Sequence, residues 1–127
     1  MPLVTATIRK GKTPHFKHAV LDGVHHALVA SGVPETDVFQ RVLELDATDF
    51  RFHPTYPDLT SPRGENFVLV EILLSVGRST KVKKKLVADL VANLAREPGC
   101  DPEQVMVVFK ETQWENWYFG GGRAIHI

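Results

Sequence analysis

The chain has 127 residues, of which 43% are apolar, and its 15 Lys and Arg balance its 15 Asp and Glu. This composition suits one globular domain and excludes a disordered chain. The balanced charge disfavours nucleic-acid and membrane binding, and a single cysteine, Cys100, rules out an intrachain disulfide. With no apolar run near the ~20 residues of a membrane span and no secretory signal at the start, we expect a soluble cytoplasmic protein.

A β-α-β pattern fills the first third of the chain. Residues 2–8 are rich in β-branched side chains, which predicts a strand. Thr13 can cap a helix whose first turn holds Pro14, and apolar residues then recur at helical spacing. Gly32 is expected to end this helix, and the alternation over residues 39–45 predicts a second strand.

The same pattern recurs 66 residues later. Residues 66–76 predict a third, more apolar strand, followed by Gly77-Arg78-Ser79 where the first copy has Gly11-Lys12-Thr13. A second helical face and a strand over residues 105–110 complete the copy. Four apolar positions of the first helix match four of the second at the same offset: Val20, Leu21, Val24 and Leu28 against Leu86, Val87, Leu90 and Leu94.

Two β-α-β units predict an α+β fold, with a four-stranded sheet and both helices on one of its faces. The other face would be left bare, and the strands are too apolar for that, so we expect an oligomer to bury it. The connection over residues 46–65 has a length typical of functional loops. The aromatic, glycine-rich end of the chain, residues 112–127, is interpreted as a hairpin that closes a pocket or a subunit contact.

Four segments carry a resemblance to a known family: Met1-Pro2-Leu3, Gly32 to Gln40, Gly77-Arg78-Ser79 with Lys83-Lys84-Lys85, and Asn116 to Ala124. In this order they resemble the tautomerase superfamily, within the branch of two tandem β-α-β units that includes malonate semialdehyde decarboxylase. The resemblance implies one domain over residues 1–127, with pseudo-repeats at about 1–46 and 66–111. It also implies a homotrimer.

In that family the initiator methionine is removed, so the resemblance implies that Pro2 becomes a terminal secondary amine. An ordinary terminal amine has a pKa near ~7.7–8.0. Burial and a nearby cation would lower the pKa of the Pro2 nitrogen and make it a general base, whereas a protonated nitrogen would be a general acid. If Met1 stays on the chain, the Pro2 nitrogen is an amide and this chemistry is impossible. The alternative is a proline that only starts an edge strand.

The resemblance also assigns roles to five other residues. Arg78 would bind a carboxylate or carbonyl oxygen of the substrate, and Asp37 would assist near Pro2. Phe39, Trp117 and Phe119 would line the substrate pocket as a dry aromatic wall; Phe39 stands where some relatives have a tyrosine, so a phenol donor is missing. The alternatives are a surface ion pair for Arg78, a turn role for Asp37 and simple packing for the aromatic residues.

The resulting hypothesis is a cofactor-independent isomerase that moves a proton between the keto and enol forms of small oxo acids. A decarboxylase of the malonate semialdehyde type is the second hypothesis. That enzyme has a second arginine two residues before the counterpart of Arg78, and this chain has Val76 at that position. A non-catalytic oligomer that binds a ligand or partner is the third. No metal is implied, because His18, Asp22 and His26 share a helical stripe with nothing nearby to complete a metal site.

Overall fold

The computed structural model describes residues 1–124 and contains two β-α-β units in tandem. The last three residues of the predicted hairpin lie outside this range. No helix among the described residues is long and apolar enough to cross a bilayer. The main elements are β1 (Leu3–Arg9), α1 (Pro14–Ala30), β2 (Gln40–Leu45), β3 (Val68–Ser75), α2 (Thr80–Arg96) and β4 (Val105–Thr112), followed by a short hairpin of β5 (Tyr118–Phe119) and β6 (Arg123–Ala124).

The four long strands form one sheet in the order β2-β1-β3-β4. As predicted, β1 pairs with β2 and β3 pairs with β4 in parallel. The two units meet through an antiparallel pairing of β1 with β3, in which Leu3 lies opposite Leu73. One end of the sheet therefore holds the starts of β1 and β2 and the ends of β3 and β4; we call it the site end. The opposite end, where residues 46–67 join β2 to β3, is the connector end.

Both helices pack on one face of the sheet through the apolar positions that repeat in the sequence. Three of these positions in each helix are at most 3% exposed: Val20, Val24 and Leu28 in α1, and Leu86, Leu90 and Leu94 in α2. The helices approach closely at Gly23, where an added Cβ would lie 2.8 Å from Cδ2 of Leu94. Since burying one large aliphatic side chain stabilises a fold by roughly 1.5–3 kcal/mol, this interface is a main source of stability.

Each helix begins at a hydroxyl cap, and the first of these caps, Thr13, is predicted from the sequence. The Thr13 side chain accepts a hydrogen bond from the Phe16 amide at 3.1 Å, and Ser79 accepts one from the Val82 amide at 3.2 Å. We expect Thr13→Ala to lower the free energy of unfolding by about 1 kcal/mol, because it leaves a helix-end amide without its cap. Urea denaturation checks this; Thr13→Ser, which keeps the hydroxyl, should retain most of the stability.

The sheet face away from the helices combines polar pairs with exposed apolar side chains. Arg41 donates a hydrogen bond to the Thr5 hydroxyl at 2.9 Å, and Lys110 pairs with Glu71 at 3.0 Å. Leu43 and Met106 are 42% and 45% exposed, respectively. The expected bare face is therefore present, although it is less uniformly apolar than the sequence predicts.

The connector is fastened to the sheet rather than free. Phe50, Phe52 and Phe67 form an aromatic cluster with ring centroids 4.5 to 5.6 Å apart. The Thr60 hydroxyl and amide both donate to the Glu103 carboxylate, at 2.6 and 3.0 Å. These hydrogen bonds lower the pKa of Glu103.

Candidate active site

The fold brings all six predicted site residues to the site end. The first, Pro2, precedes β1. Asp37 and Phe39 precede β2, which runs parallel to β1 and begins beside it. Arg78 follows β3, whose end lies against the start of β1 because that pair is antiparallel. Two aromatic residues, Trp117 and Phe119, follow β4, which ends beside β3.

Asp37 faces the start of the chain. One of its carboxylate oxygens, Oδ2, lies 3.1 Å from the Met1 amino nitrogen, and the Asp37 side chain is only 8% exposed. Pro2 is buried. The other oxygen, Oδ1, is buried and has no hydrogen-bond partner among the described residues. An acid next to the first residues of the chain can hold a terminal ammonium or steer a proton there.

Arg78 lies in the turn between β3 and α2. Its Nη1 makes one long hydrogen bond, of 3.4 Å, to the Ser75 backbone oxygen, and the side chain is partly exposed. The salt bridges found among residues 1–124 do not include Arg78. This contradicts the alternative of a surface ion pair and leaves the guanidinium able to bind an anion.

The tail (residues 113–124) crosses the site end. It leaves β4 through a short turn in which Asn116 donates to the Thr112 hydroxyl at 2.7 Å. Its Phe119 ring then meets Phe39, with centroids 5.9 Å apart. Phe39 adjoins β2, the opposite edge strand, and neighbouring strands are about 4.8 Å apart, so the tail spans the ends of β3 and β1 on its way. Two of the three predicted wall residues are thus in contact.

Sequence reasoning missed one residue of this end. Ser75 is the last residue of β3 and is fully buried, and its hydroxyl oxygen has no hydrogen-bond partner among residues 1–124. The sequence does contain a signal, since Ser75 is a polar residue inside the apolar run from Ile72 to Val76. A buried hydroxyl in such a position needs an explanation.

The connector end is the counterpart of the site end within the repeat. Because β1 and β3 pair with their parallel partners in matching register, three residues occupy equivalent places there: Val68 for Pro2, Lys12 for Arg78 and Gln104 for Asp37. Gln104 is 7% exposed and fully engaged, since its amide donates to Pro62 at 2.6 Å and accepts from Gly64 at 3.0 Å. At the connector end, the position equivalent to Asp37 is therefore occupied by Gln104, whose two hydrogen bonds hold the connector; we call this pair of bonds the Gln104 clamp.

A groove of about 270 Å³ lies between the two helices, lined by several ionisable side chains that include His15, His18, Asp22 and His26. Among residues 1–124, however, no three His, Cys, Asp or Glu side chains are arranged to hold a metal ion. The single cysteine lies elsewhere, near the connector end. Burial raises the pKa of the Cys100 thiol, with a smaller opposing effect from Lys12, so the thiol is poorly suited to nucleophilic chemistry.

Known proteins match this chain in sequence and in fold. Residues 37–120 match a family described as tautomerase enzyme. The probable tautomerase YusQ of Bacillus subtilis (strain 168) is 28% identical, over 98% of this chain and 97% of its own. A crystal structure of malonate semialdehyde decarboxylase superposes with a TM-score of 0.87 at 29% identity, over 96% of this chain and 93% of its own. The structure of a fused 4-OT, described as a symmetric trimer, superposes with a TM-score of 0.76 at 25% identity, over 96% of this chain and 94% of its own.

Proposed function

Because this chain belongs to the tautomerase enzyme family, we propose that it interconverts the keto and enol forms of small oxo acids, with Pro2 as the acid/base. Tautomerase-type activity follows from the family; the substrate class and the role of Pro2 are proposed here. In this proposal the protein is a single domain over residues 1–127 and acts in the cytoplasm.

The reaction needs one proton carrier and one anchor. The Pro2 amine takes a proton from the carbon next to the carbonyl, and the electron pair of that C–H bond moves into the carbonyl group to give an enolate. The protonated Pro2 amine then gives that proton to the enolate oxygen, which completes the enol and returns the amine to its neutral form. Arg78 holds the substrate carboxylate through its fork of N–H donors, and the aromatic wall of Phe39, Trp117 and Phe119 excludes water.

The observation that carries this proposal is the contact between Asp37 and the start of the chain. Removing Met1 would create a terminal amine at the buried Pro2, one residue from the nitrogen that now lies 3.1 Å from Asp37. A nearby carboxylate favours the protonated amine, so Asp37 would help the nitrogen hold its proton between the two half-reactions. Both groups lie at the end of the sheet that Arg78 shares.

A homotrimer is part of the proposal. The uncovered sheet face exposes Leu43 and Met106, and burying such side chains against a second copy would be favourable. The fused 4-OT relative forms trimers. Association through this face would leave the site end of each copy at the rim of the interface.

Decarboxylation of a malonate semialdehyde-type acid is the second candidate. It is supported by the close superposition on malonate semialdehyde decarboxylase, at a TM-score of 0.87. It is weakened by Val76, because an apolar side chain cannot make a second carboxylate contact. We therefore rank tautomerisation first.

Three measurements test the ranking. Intact mass of the purified protein should show that Met1 is absent. The processed protein should accelerate the ketonisation of an aryl pyruvate enol, followed by loss of its ultraviolet absorbance. Release of carbon dioxide from malonate semialdehyde without any ketonisation would reverse the order of the two candidates. A processed protein that does neither would support the third hypothesis, a non-catalytic binding protein.

A further inference from the structure

Five buried side-chain polar atoms have no hydrogen-bond partner among residues 1–124, and three of them belong to the site end: Asp37 Oδ1, Ser75 Oγ and Trp117 Nε1. The other two, Arg9 Nε and Glu44 Oε1, lie toward the connector end on side chains that already form salt bridges with Glu65 and Lys17. Leaving one buried donor or acceptor unsatisfied costs roughly 1–3 kcal/mol. Folding stability does not explain three such atoms at one end of the sheet, and they indicate a site built to meet a polar ligand.

Two of these groups are donors, and the path of the chain brings both to the site end. The indole N–H of Trp117 can only donate, and the Ser75 hydroxyl can donate or accept. Ser75 ends β3, three residues before Arg78, and pairs with Thr112 of β4, where the tail begins. Trp117 lies on the stretch of the tail between that strand end and the contact of Phe119 with Phe39.

We propose that the Ser75 hydroxyl and the Trp117 indole N–H together bind the carbonyl oxygen of the oxo acid whose carboxylate is held by Arg78. This inference rests on the proposed function and deepens it. In the enolate that oxygen carries the developing negative charge, and fixed donors in a water-poor site stabilise it without reorganisation. Trp117 would then have a polar role in addition to its place in the aromatic wall.

The absence of a second arginine suits this anchor. Val76 provides no charge for a second carboxylate, whereas two neutral donors match a neutral ketone or aldehyde oxygen. The structure thus assigns the site to acids with one carboxylate and an adjacent carbonyl. Dicarboxylic oxo acids should bind less well, because Val76 offers no second guanidinium to pair with their second carboxylate.

The experiment compares two ligands on the processed protein by calorimetry: an aryl pyruvate and the same acid with the oxo group replaced by CH₂. Wild-type protein should prefer the oxo acid. Ser75→Ala and Trp117→Phe should each weaken binding of the oxo acid about threefold to tenfold and leave binding of the deoxy acid unchanged. Trp114→Phe, in the same tail, is the matched control and should change neither.

Turnover and stability separate this role from a structural one. Each variant should lower kcat on the order of 10²-fold, the loss typical of one oxyanion donor, with a much smaller change in KM. Ser75→Ala should not lower the thermal midpoint, since the hydroxyl has no partner within the described chain. Equal weakening of both ligands, a lower midpoint with unchanged ligand preference, or a wild-type protein with no preference would each overturn the proposal.

The same data separate failure of this anchor from failure of the proposed function. A wild-type protein that prefers the oxo acid but does not turn it over would retain the anchor and lose the tautomerase assignment. If the wild-type protein turns the substrate over and the variants keep the wild-type ligand preference, the tautomerase assignment is retained and the anchor is lost.

Discussion

Acylating the Pro2 nitrogen should reduce tautomerase activity by about 10²- to 10⁴-fold, the usual contribution of a positioned acid/base. A short peptide leader placed before Pro2 does this, because the nitrogen becomes an amide that can no longer carry a proton at neutral pH. Pro2 is buried, and the residue before it contacts Asp37, so a change at this nitrogen would alter the centre of the proposed site. The measurement is the initial rate of enol ketonisation.

The control is the same protein after cleavage of the leader at a site that leaves Pro2 as the first residue. Cleavage should restore the rate in step with the appearance of the processed mass. Circular dichroism before and after cleavage should be identical, because the leader lies outside the strand that begins at Leu3. Full activity with the leader still attached would show that Pro2 is not the acid/base.

Replacing Arg78 with alanine should lower kcat/KM by on the order of 10²-fold, as expected for losing a charge-assisted, bidentate contact to the substrate. The fold should tolerate the change, since the described contacts of the Arg78 side chain come down to one 3.4 Å hydrogen bond to Ser75. Steady-state kinetics with an aryl pyruvate measure the effect, and the thermal midpoint should remain unchanged.

Two variants sharpen this result. Arg78→Lys keeps the charge without the planar fork, so its activity should lie between those of wild type and alanine. Lys12→Ala removes the counterpart of Arg78 at the connector end, 66 residues earlier in the chain, and should leave activity intact. If Lys12→Ala impaired turnover as much as Arg78→Ala, the chemistry would not be confined to the site end.

The repeat made the fold predictable. Two copies of the same strand and helix pattern support one another, and the Thr13 cap and three repeated apolar positions of each helix are confirmed. Predicted strand limits differ from the observed ones by one or two residues, because periodicity identifies a strand better than its ends.

The pairing of the two units could not be predicted in the same way. Parallel pairing within each unit follows from the length of its helix, but the antiparallel junction of β1 with β3 depends on long-range packing that no local pattern encodes. That junction places Arg78 at the same end of the sheet as the start of the chain. The prediction that Arg78 belongs to the site therefore rests on the family resemblance and not on the spacing of residues.

Only part of the candidate site could be predicted, for a similar reason. The six predicted residues lie in recognisable motifs, and the structure brings them to one end of the sheet. Ser75 was missed because a serine in an apolar strand is unremarkable until its burial and lack of a partner are known. The path of the tail was also unpredictable, since the contact between Phe119 and Phe39 joins residues 80 positions apart.

The clamp formed by Gln104 has a consequence for how the two halves tolerate change. The candidate site residues lie at one end of the sheet, while at the other end Gln104 anchors the connector. Saturation mutagenesis should show this difference between the two ends. Substitutions around Lys12 and Gln104 would lower the abundance of the protein in cells, whereas those around Asp37 and Arg78 would leave its abundance unchanged and remove turnover. The two halves share one sequence pattern yet would tolerate different substitutions.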